Sequence, residues 1–247
     1  MPRILIVSDV HANPWALEAI EREAGPVDGI FCVGDSVSYG PDPVAVLTWL
    51  RRRNATVIQG NHDHAVAHDA DPKAAPAKRL LALAMRDWTR AQLPQAEREY
   101  LGSLPRRRSV EVAGNRFLLI HGSPADELFD YRMAPGAPQA LLDAVMAGLD
   151  TNVVVLGHTH LPMLRRAAAL QVVNPGSSGQ PLDGDPRACY ALWEDGAFRL
   201  MRVAYDVRPL LDAIGRTGLP SEIREGLSEI IVNASLSPRG DGTSSQA

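Results

Sequence analysis

Cysteine, long apolar runs and a leader peptide are scarce or missing in this sequence. The 247 residues include two cysteines, Cys32 and Cys189, and both stand in apolar stretches that are predicted strands. Buried, reduced thiols are the simplest interpretation, which argues against a disulfide-stabilised secreted protein. No apolar run reaches the roughly 18 residues that span a bilayer, and no basic and apolar leader follows Met1. These absences predict a soluble, cytoplasmic protein with no membrane partner.

Basic residues are also in the minority. The 29 acidic residues outnumber the 25 lysines and arginines, and the formal net charge is −4. Two arginine triplets, residues 51–53 and 106–108, are interpreted as solvated faces or as charges near helix ends. No stable nucleic-acid partner is therefore expected. A hydrophobic fraction of 45% is ordinary for a globular chain, and the length fits one main domain.

Apolar strands and amphipathic helices alternate through the first 60 residues. Apolar runs at residues 3–7, 29–33 and 55–58 are separated by helical patterns that begin at Pro14 and Pro43. This alternation predicts parallel strands covered by helices.

The same alternation returns after an interruption. Two more apolar runs, residues 117–120 and 153–156, flank a helical pattern over 139–149, and antiparallel strands are predicted over residues 163–204. Residues 64–105 carry two helical patterns between these halves. We interpret them as an inserted pair of packing helices rather than a mobile lid.

Each of five predicted strands ends in residues with a carboxylate, an imidazole or an amide group. These candidate ligands are Asp9, His11, Asp35, Asn61, His121, His158 and His160. The carboxyl ends of parallel strands lie at one edge of a sheet, so the side chains are expected to converge. A single histidine at a strand end is usually structural, but this many with two carboxylates favour a metal or catalytic site.

Oxygen and nitrogen ligands without thiolate favour manganese, iron, zinc, cobalt or nickel over magnesium or calcium. Seven ligands exceed what one ion accepts, whereas two ions that share a bridging carboxylate would each receive four. Two divalent ions roughly 3.5 to 4 Å apart are an arrangement used for hydrolysis at phosphorus. The sequence therefore predicts two divalent metal ions as cofactors.

A further polar segment, Gly60-Asn61-His62-Asp63, follows the third apolar run and is predicted to be a loop at the strand end. By itself such a segment is more often a turn with a solvated histidine. Its functional interpretation depends on the other four strand ends.

Five motifs together resemble the calcineurin-like metallophosphoesterase superfamily, and most closely its small bacterial, phosphodiesterase-like branch. They occur in the order Asp9-Val10-His11, Gly34-Asp35, Gly60-Asn61-His62-Asp63, His121-Gly122 and Gly157-His158-Thr159-His160. The resemblance covers roughly residues 3–205 and implies an α/β fold, a four-layer αββα sandwich of mixed sheets flanked by helices.

The implied organisation has three parts. A metallophosphoesterase domain spans residues 1–205 and includes the insertion at about 64–105. A C-terminal helical extension spans residues 206–236, and residues 237–247 are predicted to be a disordered tail.

The resemblance also implies a role for each candidate residue. One ion would be held by Asp9, His11, Asp35 and His160, and the other by Asp35, Asn61, His121 and His158. His62 would act as the general acid on the leaving oxygen, with Asp63 as the partner of its imidazole. A hydroxide that bridges the ions would attack phosphorus in line, without a covalent enzyme intermediate.

The predicted function is hydrolysis of a small phosphate ester, and the favoured substrate class is a phosphodiester. The alternatives are a phosphomonoesterase or protein phosphatase, a dinucleoside polyphosphate hydrolase, and a non-catalytic scaffold such as the retromer subunit of the same fold. The complete ligand set and His62 argue against the scaffold. The substrate, the native metal and a homo-oligomeric state are left open, as is whether residues 174–181 face substrate or form only a turn.

Overall fold

A computed structural model describes residues 2–167 and 169–236 of the chain. The predicted tail, residues 237–247, lies outside the described residues. The strands are β1 (Arg3–Val7), β2 (Gly29–Cys32), β3 (Thr56–Val57), β4 (Arg107–Val112), β5 (Asn115–Ile120), β6 (Val153–Val155), β7 (Met163–Ala167), β8 (Leu170–Asn174), β9 (Ala188–Glu194) and β10 (Ala197–Val203). The helices are α1 (Pro14–Ala24), α2 (Pro43–Arg52), α3 (Asn61–His68), α4 (Arg79–Gln92), α5 (Gln95–Ser103), α6 (Gln139–Met146), α7 (Arg208–Gly215) and α8 (Ser221–Asn233).

Two five-stranded mixed sheets form the centre of the fold. The first has the order β10-β9-β1-β2-β3, and the second has the order β4-β5-β6-β8-β7. Strands β1, β2 and β3 run parallel, as do β5, β6 and β8, while the remaining pairs are antiparallel.

The sheets pack face to face through apolar side chains. Ile6 and Phe31 of the first sheet share a buried cluster with Phe117 and Val155 of the second. Helices α1 and α2 cover the outer face of the first sheet, and α6 covers the outer face of the second. The predicted four-layer αββα sandwich is confirmed, because two apolar faces per sheet require a cover on each side.

The first two helices begin at cap residues that the sequence provides. Asn13 Oδ1 accepts a hydrogen bond from the amide of Ala16 (3.2 Å) at the start of α1. Asp42 Oδ1 accepts one from the amide of Ala45 (3.0 Å) at the start of α2. Each cap precedes a proline, whose fixed φ suits the first helical position. Both helices therefore begin where the chain leaves the loops after β1 and β2.

Helix α4 of the inserted segment packs with the C-terminal helices. Met85 of α4 shares a buried cluster with Leu210 of α7 and Leu227 of α8, and Tyr39 belongs to the same cluster. None of the described helices is long and apolar enough to cross a membrane.

Some element bounds differ from the sequence prediction. The segment predicted as a loop after β3 is instead the first turn of α3. Helix α6 ends at Met146 rather than at residue 149, because Ala147 is extended and Gly148 has a φ of 75°. A positive φ of this kind ends a helix and favours glycine.

Candidate metal centre

Five chain segments meet at one end of the sandwich. Three follow β1, β2 and β3 of the first sheet, and two follow β5 and β6 of the second. The sequence predicted one shared edge, but the site lies between two facing sheets. Their parallel strands end on the same side, and this brings together residues that are more than 100 positions apart in the chain, such as Asp9 and His160.

Asp9, His11 and His160 form the first group of candidate ligands. One possible ligand atom from each lies within 4.8 Å of the others, and all three residues are buried. Nε2 of His160 lies 3.2 Å from Nε2 of His11 and 3.5 Å from Oδ1 of Asp9. The group therefore combines one carboxylate with two imidazoles.

Asp35, His121 and His158 form the second group, again within 4.8 Å and buried. Oδ1 of Asn61 lies 3.1 Å from Nε2 of His121 and 2.9 Å from Nδ1 of His158, so it adds a fourth candidate ligand atom. Oδ2 of Asp35 lies 3.3 Å from Nε2 of His121 and 3.8 Å from Nε2 of His11. This oxygen faces both groups, which is the position that a bridging ligand needs.

Hydrogen bonds from neighbouring groups hold the oxygen ligands in place. The Ser8 hydroxyl donates to Oδ2 of Asp9 (2.7 Å), and the amide of His158 donates to the same oxygen (3.1 Å). Nδ2 of Asn61 donates to the carbonyl oxygen of Pro72 (2.7 Å), which leaves Oδ1 turned toward the second group. Such partners fix ligand orientation before any ion binds.

Five of the seven candidate ligands have a left-handed backbone. Their φ angles are 50° for Asp9, 48° for His11, 55° for Asp35, 69° for His158 and 60° for His160. Residues other than glycine seldom adopt this conformation, and when they do they cluster at functional sites. The strain lies in the loops that turn these side chains inward.

The imidazoles of the first group fit a cation. Nδ1 of His11 lies 3.1 Å from the Val37 carbonyl oxygen, and Nδ1 of His160 lies 2.6 Å from that of Gln180. A carbonyl oxygen only accepts, so each Nδ1 carries the hydrogen and each Nε2 carries a lone pair. Burial lowers the pKa of both histidines well below the ordinary value, so both are neutral. Two lone pairs 3.2 Å apart repel each other unless a positive ion lies between them.

The second group requires positive charge for a similar reason. Nδ1 of His121 donates to the Val33 carbonyl oxygen (2.7 Å), so its Nε2 faces the oxygens of Asn61 and Asp35. Burial opposes protonation of this ring, but the Asp35 carboxylate beside it raises the pKa of His121 to about 9. A proton or a metal ion on Nε2 satisfies both oxygens. The donor set of both groups fits divalent transition-metal ions.

The two carboxylates of the site differ in how readily they ionise. Burial raises the pKa of Asp9 to about 7. Burial acts in the same direction on Asp35, but His121 and His62 lower the pKa of Asp35 well below its ordinary value. Asp35 is therefore charged throughout the neutral range, whereas Asp9 is near its midpoint.

His62 lies beside the first group without belonging to it. Its ring centroid is 5.2 Å from that of His11 and 4.7 Å from that of Tyr39. Its Nδ1 is buried and has no hydrogen-bond partner among residues 2–167 and 169–236. Burial lowers the pKa of His62 to about 4. The ring is neutral at pH 7, and its Nδ1 is left without a partner among the described residues.

The predicted contact between Asp63 and the His62 imidazole is wrong. Oδ1 of Asp63 accepts hydrogen bonds from the amides of Ser36 (2.9 Å) and Val37 (3.3 Å), and Oδ2 accepts one from the amide of Gly60 (3.0 Å). An acidic residue three positions after the cap commonly bonds to the cap amide in this way. Asp63 therefore ties the start of α3 to the loop after β2.

Sequence reasoning missed three residues that line the central cavity with His62: Tyr39, Lys78 and Tyr131. The cavity has a volume of about 130 Å³. The Tyr131 ring lies 3.7 Å from the His158 ring, centroid to centroid. Lys78 is one of two lysines in an arginine-rich chain, and that rarity was the available signal.

The loop at residues 174–181 packs behind the candidate ligands. The Ser177 hydroxyl donates to the main-chain oxygen of Asp9 (2.7 Å), and the Gln180 carbonyl accepts from His160. Leu182, just after the loop, lines the cavity. The loop thus supports ligand residues from behind.

Comparison with known proteins agrees with this geometry. The calcineurin-like phosphoesterase superfamily domain matches residues 3–195. A metallophosphoesterase from Sphaerobacter thermophilus is 32% identical, with 92% of this chain and 98% of that chain covered and a TM-score of 0.75. Protein PH1004 from Pyrococcus horikoshii is 23% identical, with the same coverage and a TM-score of 0.80. Protein MJ0912 from Methanocaldococcus jannaschii is 26% identical over 244 residues, which covers 91% of this chain and 96% of the relative. The chain belongs to the calcineurin-like phosphoesterase superfamily.

Proposed function

We propose that the protein is a phosphodiesterase that depends on two divalent metal ions. The observation that carries this proposal is the pair of imidazole lone pairs, from His11 and His160, that face each other 3.2 Å apart beside two carboxylates. A second group of candidate ligand atoms lies beside the first, and Oδ2 of Asp35 in that second group also faces His11 of the first. The chain's superfamily is that of the calcineurin-like phosphoesterases, which agrees with hydrolysis at phosphorus.

The candidate site residues have two roles, as metal ligands and as a proton donor. Asp9, His11 and His160 would hold one ion, Asn61, His121 and His158 the other, and Asp35 both. When bound, the ions would supply a water nucleophile of lowered pKa and positive charge against the phosphoryl oxygens.

His62 would donate a proton to the leaving-group oxygen. It lines the cavity, and its buried Nδ1 has no hydrogen-bond partner among the described residues. Its pKa of about 4 belongs to a cavity without substrate, and a phosphate anion placed beside the ring would raise that pKa. Substrate binding itself would thus prepare the ring to donate a proton.

The test is a substrate panel run on metal-free and metal-reconstituted protein. We expect hydrolysis of bis(p-nitrophenyl) phosphate that is lost on chelation and restored by manganese or a similar ion. Faster turnover of p-nitrophenyl phosphate or of dinucleoside polyphosphates would replace the diesterase assignment with one of the alternatives. A folded, metal-loaded protein that is inactive on diesters and monoesters alike would reject the proposal.

A further inference from the structure

Lys78 is a buried cation at the wall of the candidate active site. It is the last residue of the short helical turn Pro76–Lys78, directly before α4, and only 6% of its surface is exposed. It lines the cavity together with Asp35, Asn61 and His62. The inserted segment therefore delivers a positive charge to the metal ligands.

The ammonium group of Lys78 has no anionic partner in direct contact. Among the described residues it makes no hydrogen bond or salt bridge, and its Nζ lies 4.6 Å from the centre of the Tyr39 ring. The hydroxyl of Tyr39, which lines the same cavity, is also buried without a partner. A buried ammonium without a partner is costly, as is a buried hydroxyl. Two such donors on one cavity wall indicate a bound group that accepts hydrogen bonds.

The charges that now balance Lys78 are those of the candidate metal ligands. Burial lowers the pKa of Lys78 to about 8, and the fields of Asp9 and Asp35 act in the opposite direction. Divalent ions on these carboxylates would neutralise them and would add positive charge near Lys78. In the metal-loaded protein the lysine would keep its charge only with an anion from outside the chain.

The loop after β5 does not offer a competing cation. Arg132, the basic residue of that loop, pairs with Asp130 through Nε (2.8 Å), and its side chain is 58% exposed. Among the described residues that line the cavity, Lys78 is thus the one lysine or arginine.

We propose that Lys78 and Tyr39 form an anion subsite for a second negative charge on the substrate. This inference rests on the proposed phosphoesterase function and narrows its substrate class to phosphate compounds with at least two negative charges. The second charge lies either on a neighbouring phosphate, which a diester substrate can carry, or on the reacting phosphate, which makes the substrate a monoester and selects that alternative over the diesterase. Both present the same chemistry, a charged phosphate oxygen.

The test measures binding to the manganese-loaded protein by calorimetry, independently of turnover. It is run at pH 7.5, below the pKa of about 8 that burial gives Lys78. Three probes differ in charge: dimethyl phosphate carries one negative charge, inorganic phosphate carries about two on one phosphorus, and P1,P2-dimethyl diphosphate carries one on each of two. We expect Lys78→Met to weaken binding of a doubly charged probe about tenfold or more and to leave dimethyl phosphate nearly unchanged. Whichever doubly charged probe loses more affinity in the variant identifies where the second charge of the substrate lies.

Matched variants separate recognition from structure. Lys73→Met removes the other lysine, which is exposed and lies over the Phe129 ring, and should change none of the three affinities. Lys78→Arg should retain most of the preference for doubly charged probes over dimethyl phosphate. Tyr39→Phe should weaken that preference, although it keeps the aromatic ring.

Two results would overturn the inference: equal weakening of all three probes in a folded, fully loaded Lys78→Met protein, or no weakening of either doubly charged probe. If Lys78→Met does not fold or load, the same comparison with Tyr39→Phe decides. If the protein turns over no ester but still binds the doubly charged probes selectively, the proposed function is rejected and the anion subsite is supported.

Discussion

The main-chain amide of His62 donates a hydrogen bond to Oδ1 of Asp35 (2.8 Å), while Oδ2 of the same carboxylate faces His121 and His11. The backbone of the candidate acid thus orients the candidate bridging ligand. Its side chain takes no part in that contact. The two roles can therefore be separated by substitution.

His62→Ala and Asp35→Ala should affect metal binding differently. The alanine at position 62 keeps the amide that orients Asp35, so we expect nearly full metal content and turnover reduced roughly 10²- to 10⁴-fold. Asp35→Ala removes the oxygen that faces both groups and should lose most of the metal. Elemental analysis and steady-state kinetics on the same samples make the comparison. Equal metal loss in both variants would contradict the role assigned to His62.

Asp63→Ala should destabilise the protein through its backbone contacts. The carboxylate accepts hydrogen bonds from three buried amides, those of Ser36, Val37 and Gly60. Leaving them without an acceptor should lower the free energy of unfolding by about 3 kcal/mol. Urea unfolding of metal-free protein measures the change. Asp150→Ala, at a site whose side chain is 82% exposed, serves as the control and should change stability little. A change at Asp63 as small as that control would show that its contacts do not matter.

Metal affinity should rise with pH through the neutral range. Burial raises the pKa of Asp9 to about 7, and an ion binds only the ionised carboxylate. Below pH 7 each lower unit should therefore cost up to about tenfold in affinity at the first group. His121, whose pKa Asp35 raises to about 9 against the effect of burial, must also lose a proton, so binding at the second group should strengthen further up to pH 9. Manganese titrations of metal-free protein at several pH values test this, and a flat profile from pH 6 to 9 would contradict it.

Both thiols should be unreactive in the folded protein. Cys32 and Cys189 are buried and unpaired, and burial raises the pKa of each to about 12. Because the thiolate is the reactive form, a disulfide reagent at pH 8 should modify neither cysteine in native protein and both in guanidinium. Rapid reaction of one thiol before unfolding would show that its strand opens locally.

Local pattern was enough to predict much of the fold and the seven candidate ligands. Residues such as Asp9 and His121 directly follow apolar strands, so sequence neighbours define their positions. The first turn of α3 was predicted as a loop because Asn61 and Asp63 suit turns and helix starts equally well. Local pattern alone did not predict that the site is shared between two sheets, because the pairing of distant strands leaves no mark on either strand. The four-layer sandwich was predicted from the family resemblance.

Lys78 escaped prediction for a related reason. It lies outside every strand-end motif, and its place in the cavity depends on how α4 packs against α7 and α8. The contacts of Asp63 also escaped prediction, although they lie closer in the chain. The motif located the carboxylate, but two of the three amides that it accepts from belong to the loop after β2.

Each group of candidate ligands takes residues from both sheets. Asp9 and His11 lie in the first part of the chain, but the first group is incomplete until His160 has been synthesised, and the second also needs His121 and His158. Metal uptake would therefore report that the two halves of the sandwich have come together. Because a bound ion stabilises only this assembled state, it would act as a late non-covalent staple, and a chain truncated before β5 would have no complete site to fill.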